Sequence, residues 1–410
     1  MSREFHKCTS LADLDDAPYD TLVADEFGRL RALINDKAVR DLASRLNNGK
    51  SCVIEYPCKD VDGSGVFLAG CANYHARIRF VVDGNDDETR LLRVPRITGF
   101  AVGFPVSLAE YLIRSEYATL KFLETTAVPA PKVFSFGIPS QGTDQSVGVC
   151  FLLMEELPGK PWNGKGDAAA TEKIWKGLAN VYSELDKHPL PKAGSLCVQS
   201  PDDIVPFVAE LASDRFVCID PCGPFETAAD YYTTWAEQHL VLIANHQMYP
   251  QFPVDAYLVY CFLRDDATPK LLDSEEEEDK FFSKHVDDKG DYLLVGEDLN
   301  ITGIIDWQMA RVVPRREAFA LSLVSADMGA VYDGKVSLSE NDIALGSALR
   351  ERDPRFASQA RDEKVRRFFW GLGLEVEWAS ALPLANAVLQ VFGVEQSWDA
   401  WEVEALKWRR

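Results

Sequence analysis

The stretch that most constrains the fold runs His285-Val-Asp-Asp-Lys-Gly-Asp-Tyr-Leu-Leu-Val-Gly-Glu-Asp-Leu-Asn-Ile-Thr-Gly-Ile-Ile-Asp-Trp307. Two β-prone runs, Tyr292 to Val295 and Ile301 to Ile305, flank the turn residues Gly296 to Asn300, a pattern that predicts a hairpin. A hairpin returns the chain to the end from which it set out. Asp306, just past the returning strand, is therefore expected beside the loop that carries Asp287, Asp288 and Asp291 before the outgoing strand. Carboxylates that converge repel one another unless a proton or a cation intervenes. Hard oxygen donors suit magnesium, which prefers one or two carboxylates together with substrate phosphates, and that is what a nucleotide site requires.

The rest of the chain predicts an α+β fold in two lobes. Its 410 residues are 47% hydrophobic and 26% charged, a globular composition long enough for two or more packed lobes. Residues 1–50 suggest a helical extension, with Val39, Leu42, Ala43 and Leu46 at helical spacing and a stop at Asn47-Asn48-Gly49. Residues 51–157 suggest a smaller β-rich lobe, with strand-like runs at Ala76 to Val82, Arg90 to Val94 and Gly148 to Met154, and a break at Pro158-Gly159. Residues 158–410 suggest a larger helical lobe, with helices in Thr171 to Leu185, in Phe225 to Met248 and through the Trp-rich tail from Asp362 to Trp408.

One helix interrupts the β-rich lobe. It opens at Ser107 with Glu110 three residues on, a capping-box pattern, and continues through LAEYLIRSEYATLKFLE. Ala109, Ile113, Glu116, Leu120 and Leu123 then share one face, so Glu116 is a carboxylate on an apolar stripe. Burying it without a partner would be costly, which calls for a cation across the core. Arg93, between Leu92 and Val94 and on the strand face of Leu91, is the natural candidate.

Charge and composition narrow the function classes. A formal net charge of −21 repels a phosphate backbone, so nucleic acid is not an expected partner, whereas a cationic small molecule would be tolerated. No apolar run reaches the roughly 18 residues of a membrane span, and the start, MSREFHKCTSLADLDD, has no signal-like apolar stretch. The expectation is a cytoplasmic protein without membrane attachment. The nine cysteines include the close pairs Cys52 with Cys58 and Cys218 with Cys222, but no second pair at zinc spacing, so reduced thiols are expected. The acidic run Glu275 to Asp279 has no interleaved ligands and suits a solvated loop or helix start.

HVDDKGDYLLV resembles the H-G-D-x-x-x-x-N-[IL]-L-V loop of the aminoglycoside phosphotransferase and choline kinase-like family, and GIIDW resembles that family's second metal-binding motif. NYHARIRF, LLRVPR, SEYATLKFLE, VPAPKVFSFG and FLLMEELPGKPW resemble, in order, its nucleotide-binding lobe and hinge. The resemblance implies a bilobal protein-kinase-like fold with a catalytic loop at 285–292 and a metal motif at 303–307. It makes Asp287 the aspartate that orients the substrate hydroxyl and accepts its proton, His285 the residue that braces the loop, and Asp306 a magnesium ligand. Arg93 takes the place of the lysine that touches the α- and β-phosphates, and Glu116 that of its helix partner. A guanidinium keeps the charge but changes the geometry. Met154, Glu155 and Leu157 would offer backbone groups to a purine edge of ATP or GTP. Asp62-Gly-Ser-Gly65 and Ala69-Gly-Cys-Ala-Asn73 are segments suited to covering phosphates.

The sequence departs from the family pattern at Tyr292, which stands where the metal-binding asparagine belongs; Asp291 is the preferred substitute ligand and Asp288 the second choice. An alternative register, with Lys289-Gly290-Asp291-Tyr292 on the motif, shortens the spacing to Asp306 and is disfavoured. The expectation is a small-molecule phosphotransferase. The alternative, motivated by Tyr292 and Arg93, is a kinase-like nucleotide-binding or scaffold protein that has lost turnover. A protein kinase proper is disfavoured because H-R-D-L-x-x-x-N and A-P-E are absent.

Overall fold

A computed structural model describes residues 16–57, 73–80, 88–96, 106–164, 166–203, 205–211, 221–272, 280–288 and 290–408. The chain divides into two compact units, Met1–Ile113 with Phe134–Glu155, and Arg114–Val133 with Glu156–Arg410.

The first unit begins with helices α1 (Asp16–Leu33) and α2 (Asp36–Arg45). Asn35 caps α2 by accepting a hydrogen bond from the Ala38 N–H at 3.2 Å. The helix stops where the sequence places its stop: Asn48 and Gly49 turn left-handed, with φ of 54° and 80°. The strands β1 (Cys52–Glu55), β2 (Asn73–Phe80) and β3 (Thr89–Pro95) follow. After α3 (Val106–Leu123) come β4 (Val133–Gly137) and β5 (Phe151–Glu155), and the sheet order is β1-β2-β3-β5-β4.

Alternation decides what this sheet buries. Tyr74, Ala76, Ile78 and Phe80 of β2, Leu92 and Val94 of β3, and Phe151 and Leu153 of β5 join a single core. Leu30, Ile34, Val39, Leu42 and Ala43 enter the same core. The helices α1 and α2 thus share the core of the first unit, where each fully buried Val or Leu contributes roughly 1.5–3 kcal/mol.

Two local expectations shift. Ser107 lies inside α3, not at its cap. The strand expected from Gly148 starts only at Phe151, because Gly148 has a left-handed φ of 93° and a Cβ there would clash with the Leu33 carbonyl oxygen.

The second unit opens with the short β6 (Lys160–Pro161) and α4 (Ala168–Leu185), whose buried stripe runs Ile174, Trp175, Leu178, Val181, Tyr182, Leu185. Then come β7 (Ser195–Cys197), β8 (Phe207–Ala209), α5 (Ala228–Ala244), α6 (Pro253–Phe262) and α7 (Thr268–Leu272). The site strands follow: β9 (Phe281–Lys284), β10 (Leu293–Val295), β11 (Ile301–Ile304) and β12 (Arg311–Pro314). The chain ends in α8 (Arg315–Ala318), α9 (Met328–Tyr332), α10 (Glu340–Arg352), α11 (Lys364–Phe369), α12 (Trp378–Val391) and α13 (Trp398–Trp408). The acidic run Glu275 to Asp279 lies outside the described residues.

Aromatic packing joins α5 to α11: Trp235 meets Phe369 edge-on at 4.9 Å and Phe368 at 5.1 Å. Beside it lies a buried ionic network. Arg366 is bound by Asp342 and by Glu363 (2.7 Å), and Arg367 by Glu363 (2.8 Å) and the Val331 carbonyl (2.9 Å). Asp342 also completes the capping box of α10 with Ser339. Burying such charges is expensive, and removing one partner strands the others. Arg366→Met is therefore expected to lower the stability of the second unit by about 3–5 kcal/mol. Urea unfolding followed by tryptophan fluorescence measures this, and a loss below about 1 kcal/mol would show the network to be energetically idle.

Candidate functional site

Two antiparallel pairs are nested in the second unit. The outer pair is β9 with β12, in register Lys284↔Arg311 through Phe281↔Pro314, and the inner pair is the expected hairpin, β10 with β11, in register Leu293↔Ile304. Two connections join the outer pair to the inner one, residues 285–292 on the way out and 305–310 on the way back. Nesting leaves these connections facing each other, which is how Asp287 and Asp306 come to one neighbourhood.

Hydrogen bonds tie the two connections together. The Ile305 N–H donates to the Tyr292 carbonyl at 2.9 Å, and His285 Nε2 donates to the Ile305 carbonyl at 2.8 Å. A carbonyl only accepts, so that bond fixes the proton on Nε2. The imidazole is buried, stacked on the Tyr292 ring at 4.2 Å and edge-on to Trp307 at 5.0 Å. Burial lowers its pKa from the ordinary 6.5, against the upward pull of the Ile305 carbonyl and of Asp306, Asp288 and Asp287. Three carboxylates from both connections thus act on one ring.

Their exposures differ. Asp306 and Asp291 are exposed, Asp287 is half-buried and Asp288 is buried. Asp306 has a left-handed backbone, φ 67° and ψ 48°, as it leads into the turn Trp307–Met309. Asp tolerates that region better than most side chains, at a cost on the order of 1–2 kcal/mol. Gly290, with φ 103°, provides the matching bend in the outgoing loop. Among the described residues no group of three or more His, Cys, Asp or Glu could hold a metal ion.

Tyr292 faces inward. Its ring lines a small internal cavity with Tyr182, His285 and Trp307, and burial followed by the fields of Tyr182, Asp288, Asp291 and Asp287 pushes its phenol well above the ordinary range. Tyr292, expected in the place of the family's metal-binding asparagine, is a core residue stacked on His285.

The other sequence-identified residues lie as follows. Asn73 begins β2 and is buried, Arg93 is buried in β3 across from His75 and Leu152, and Met154 and Glu155 end β5, all in the first unit. Glu116 is buried in α3 and Leu157 immediately precedes the Pro158-Gly159 break, both in the second unit. The segments Asp62 to Gly65 and Ala69 to Ala72, and Lys289 of the alternative register, lie outside the described residues. Sequence reasoning missed Lys284, Arg311 and Glu317, which line a cavity with Asp288. The only available signal was that Lys284 and Arg311 closely flank the two acidic connections.

The state of His285 has a measurable consequence. The folded chain keeps it neutral where an unfolded chain would protonate it, so its contribution to stability is complete above about pH 6.5 and is lost as the pH falls below that value. The slope amounts to at most about 1.4 kcal/mol per pH unit. Unfolding free energies measured between about pH 7.5 and 5.5 should fall more steeply for wild type than for His285→Gln, and parallel slopes would refute a neutral buried imidazole.

The profile of the phosphotransferase enzyme family matches residues 73–335. No curated protein matches the chain. Among solved structures, a candidate fructosamine-3-kinase from Thermobifida fusca YX-ER1 aligns with a TM-score of 0.50 at 16% identity, over 85% of this chain and 98% of that one. The aminoglycoside phosphotransferase APH(4)-Ia aligns with a TM-score of 0.48 at 13% identity, over 88% and 100%. A thermostable mutant of that enzyme was crystallised with ADP and hygromycin B. The fold is thus the expected α+β, protein-kinase-like one, with a β-rich N-terminal part and a helical C-terminal part. The family match spans the nested strands and both acidic connections, and the chain belongs to the phosphotransferase enzyme family.

Proposed function

We propose that this chain transfers the γ-phosphoryl group of ATP or GTP to a hydroxyl of a small molecule, with magnesium. The observation that carries the reading is the tie between the two acidic connections through His285 and Ile305. Asp287 orients the acceptor hydroxyl and takes its proton as the oxygen bonds to the γ-phosphorus. The bond from that phosphorus to the β–γ bridging oxygen breaks, and the nucleoside diphosphate leaves.

Magnesium fits the donors in a particular way. Exposed carboxylates at Asp306 and Asp291, with no three-ligand cage among the described residues, suit an ion that arrives with the phosphates and completes its shell with their oxygens. Asp306 is the principal ligand and Asp291 the second. When bound, the ion neutralises charge on the transferring group. In the first unit, Arg93 supplies phosphate-directed charge, Asn73 a polar group at the start of its strand, and the backbone from Met154 to Glu155 hydrogen-bonding groups for the base; Glu116 and Leu157 of the second unit keep the roles that the resemblance gives them.

One observation favours a second reading, a nucleotide binder without turnover: the Tyr292 ring is committed to the His285 stack and offers no ligand. The two readings separate in one series of measurements. Wild type is expected to show magnesium-dependent protection against heat by ATP or GTP, and phosphate release. Asp306→Asn should lose the magnesium-dependent part of that protection. Asp287→Asn should keep the protection while turnover falls about a hundred- to ten-thousandfold. Protection without turnover in wild type would favour the second reading, and protection by neither nucleotide would overturn both.

A further inference from the structure

Pro158 and Gly159 end the strand-like run before them, yet the chain just beyond them is bound to the site hairpin. Lys160 and Pro161 of β6 stand opposite Val295 and Leu294 of β10, so the hairpin belongs to a sheet of order β11-β10-β6. Pro161 has no N–H to donate, which suits it to this edge strand. The Pro158 carbonyl accepts from Thr302 Oγ1 at 2.7 Å, which ties the break itself to β11.

Trp162 is where this segment meets the acidic loop. Its backbone N–H donates to the Leu293 carbonyl at 2.8 Å, and the Leu293 N–H donates to the Gly290 carbonyl at 3.1 Å. Two bonds in series thus run from Trp162 to the bend of the loop. The indole ring reaches the same place: a Cβ at Gly290 would lie 3.6 Å from it and 3.8 Å from the Val324 side chain, so the bend rests between the two. The Trp162 ring is itself buried, and it stands at 90° to the ring of Trp175 with centroids 5.3 Å apart. Trp175 is fully buried in the stripe of α4. Such an edge-to-face pair contributes about 0.5–1.5 kcal/mol beyond its buried area and fixes the relative orientation of the rings. Support therefore passes from α4 through Trp175 and Trp162 to Gly290. A glycine has no side chain with which to anchor a bend, so the position of this one is set by what it rests against.

We infer that Trp162 is a positioning residue for the phosphotransfer reaction: its ring sets where the Gly290 bend lies, and through that bend the placement of Asp287 before it and Asp291 after it. The inference rests on the proposed function, since Trp162 acts on the reaction through the loop. A displacement on the order of 1 Å, produced far from the reacting atoms, can cost about a hundredfold in rate.

The test compares full-length wild type with Trp162→Leu, Trp162→Phe and Trp398→Ala, the last of which removes an equally large buried ring from the cluster with Trp378 and Trp401. Magnesium-dependent phosphate release from ATP or GTP gives kcat and KM, and hydrogen exchange of the peptide carrying Leu293, without nucleotide, reports on the loop. Trp162→Leu keeps apolar bulk but loses the flat ring. It should lower kcat about ten- to hundredfold, leave KM for the nucleotide within about threefold, and speed exchange at Leu293. Trp162→Met is held to the same values if Trp162→Leu does not fold. Trp162→Phe, which keeps a ring, should hold kcat within about threefold of wild type. Trp398→Ala should unfold at a lower temperature with kcat and the exchange at Leu293 unchanged. Wild-type turnover in Trp162→Leu, a rise in KM in step with the fall in kcat, a Trp162→Phe as slow as Trp162→Leu, or the same loss in Trp398→Ala would each overturn the inference. Heat protection of wild type keeps the two questions apart. If ATP and GTP neither protect it nor release phosphate, the phosphotransfer reading fails and takes the positioning role with it, while faster exchange in Trp162→Leu would still show that the ring holds the loop.

Discussion

The hydrogen bond from His285 Nε2 to the Ile305 carbonyl holds together the two acidic connections of the second unit. It joins the connection that carries Asp287 to the one that carries Asp306, across a hairpin whose own pairing would leave both connections loose. The bond needs Nε2 to carry a proton, and the stacked Tyr292 ring and the edge-on Trp307 ring exclude the water that would otherwise compete for it. Burial disfavours the charged imidazole despite three nearby carboxylates, so the brace adds no cation beside Asp287, Asp288 and Asp306.

The same unit buries an unusual amount of charge close to this brace. The Asp342, Glu363, Arg366 and Arg367 network fixes α10 and α11, and the Lys284, Arg311, Glu317 and Asp288 group sits between those helices and the site strands. Burial of ions is weak evidence for stability, since well-packed apolar residues do as well or better. The network meets that cost directly, since every donor of Arg366 is directed to an acceptor at close range.

Much of the fold was legible because its signals are local. The hairpin between Tyr292 and Ile305 follows from β-prone runs around a turn, and the end of α2 from Asn48 and Gly49 entering the left-handed region. Other features were not legible because their causes lie far along the chain. The helices before residue 50 show amphipathic spacing, but nothing local says that the sheet of β2, β3 and β5 covers them. Gly148 belongs to an apolar run, yet the Leu33 carbonyl, distant in sequence, excludes a Cβ there and delays the strand. Tyr292 was visible as a departure from a motif, while its engagement with His285 was not.

The sequence by itself determined the family pattern, the two acidic connections and the hairpin that brings them back, since turn chemistry and strand propensity act over a few residues. Only the tertiary structure decided that Tyr292 points into the core, that Asp288 is buried while Asp291 and Asp306 are exposed, and that Lys284 stands opposite Arg311. The physical reason is that strand register and burial are set by packing between distant segments: a shift of one residue would turn Lys284 and Arg311 to the other face of their strand pair.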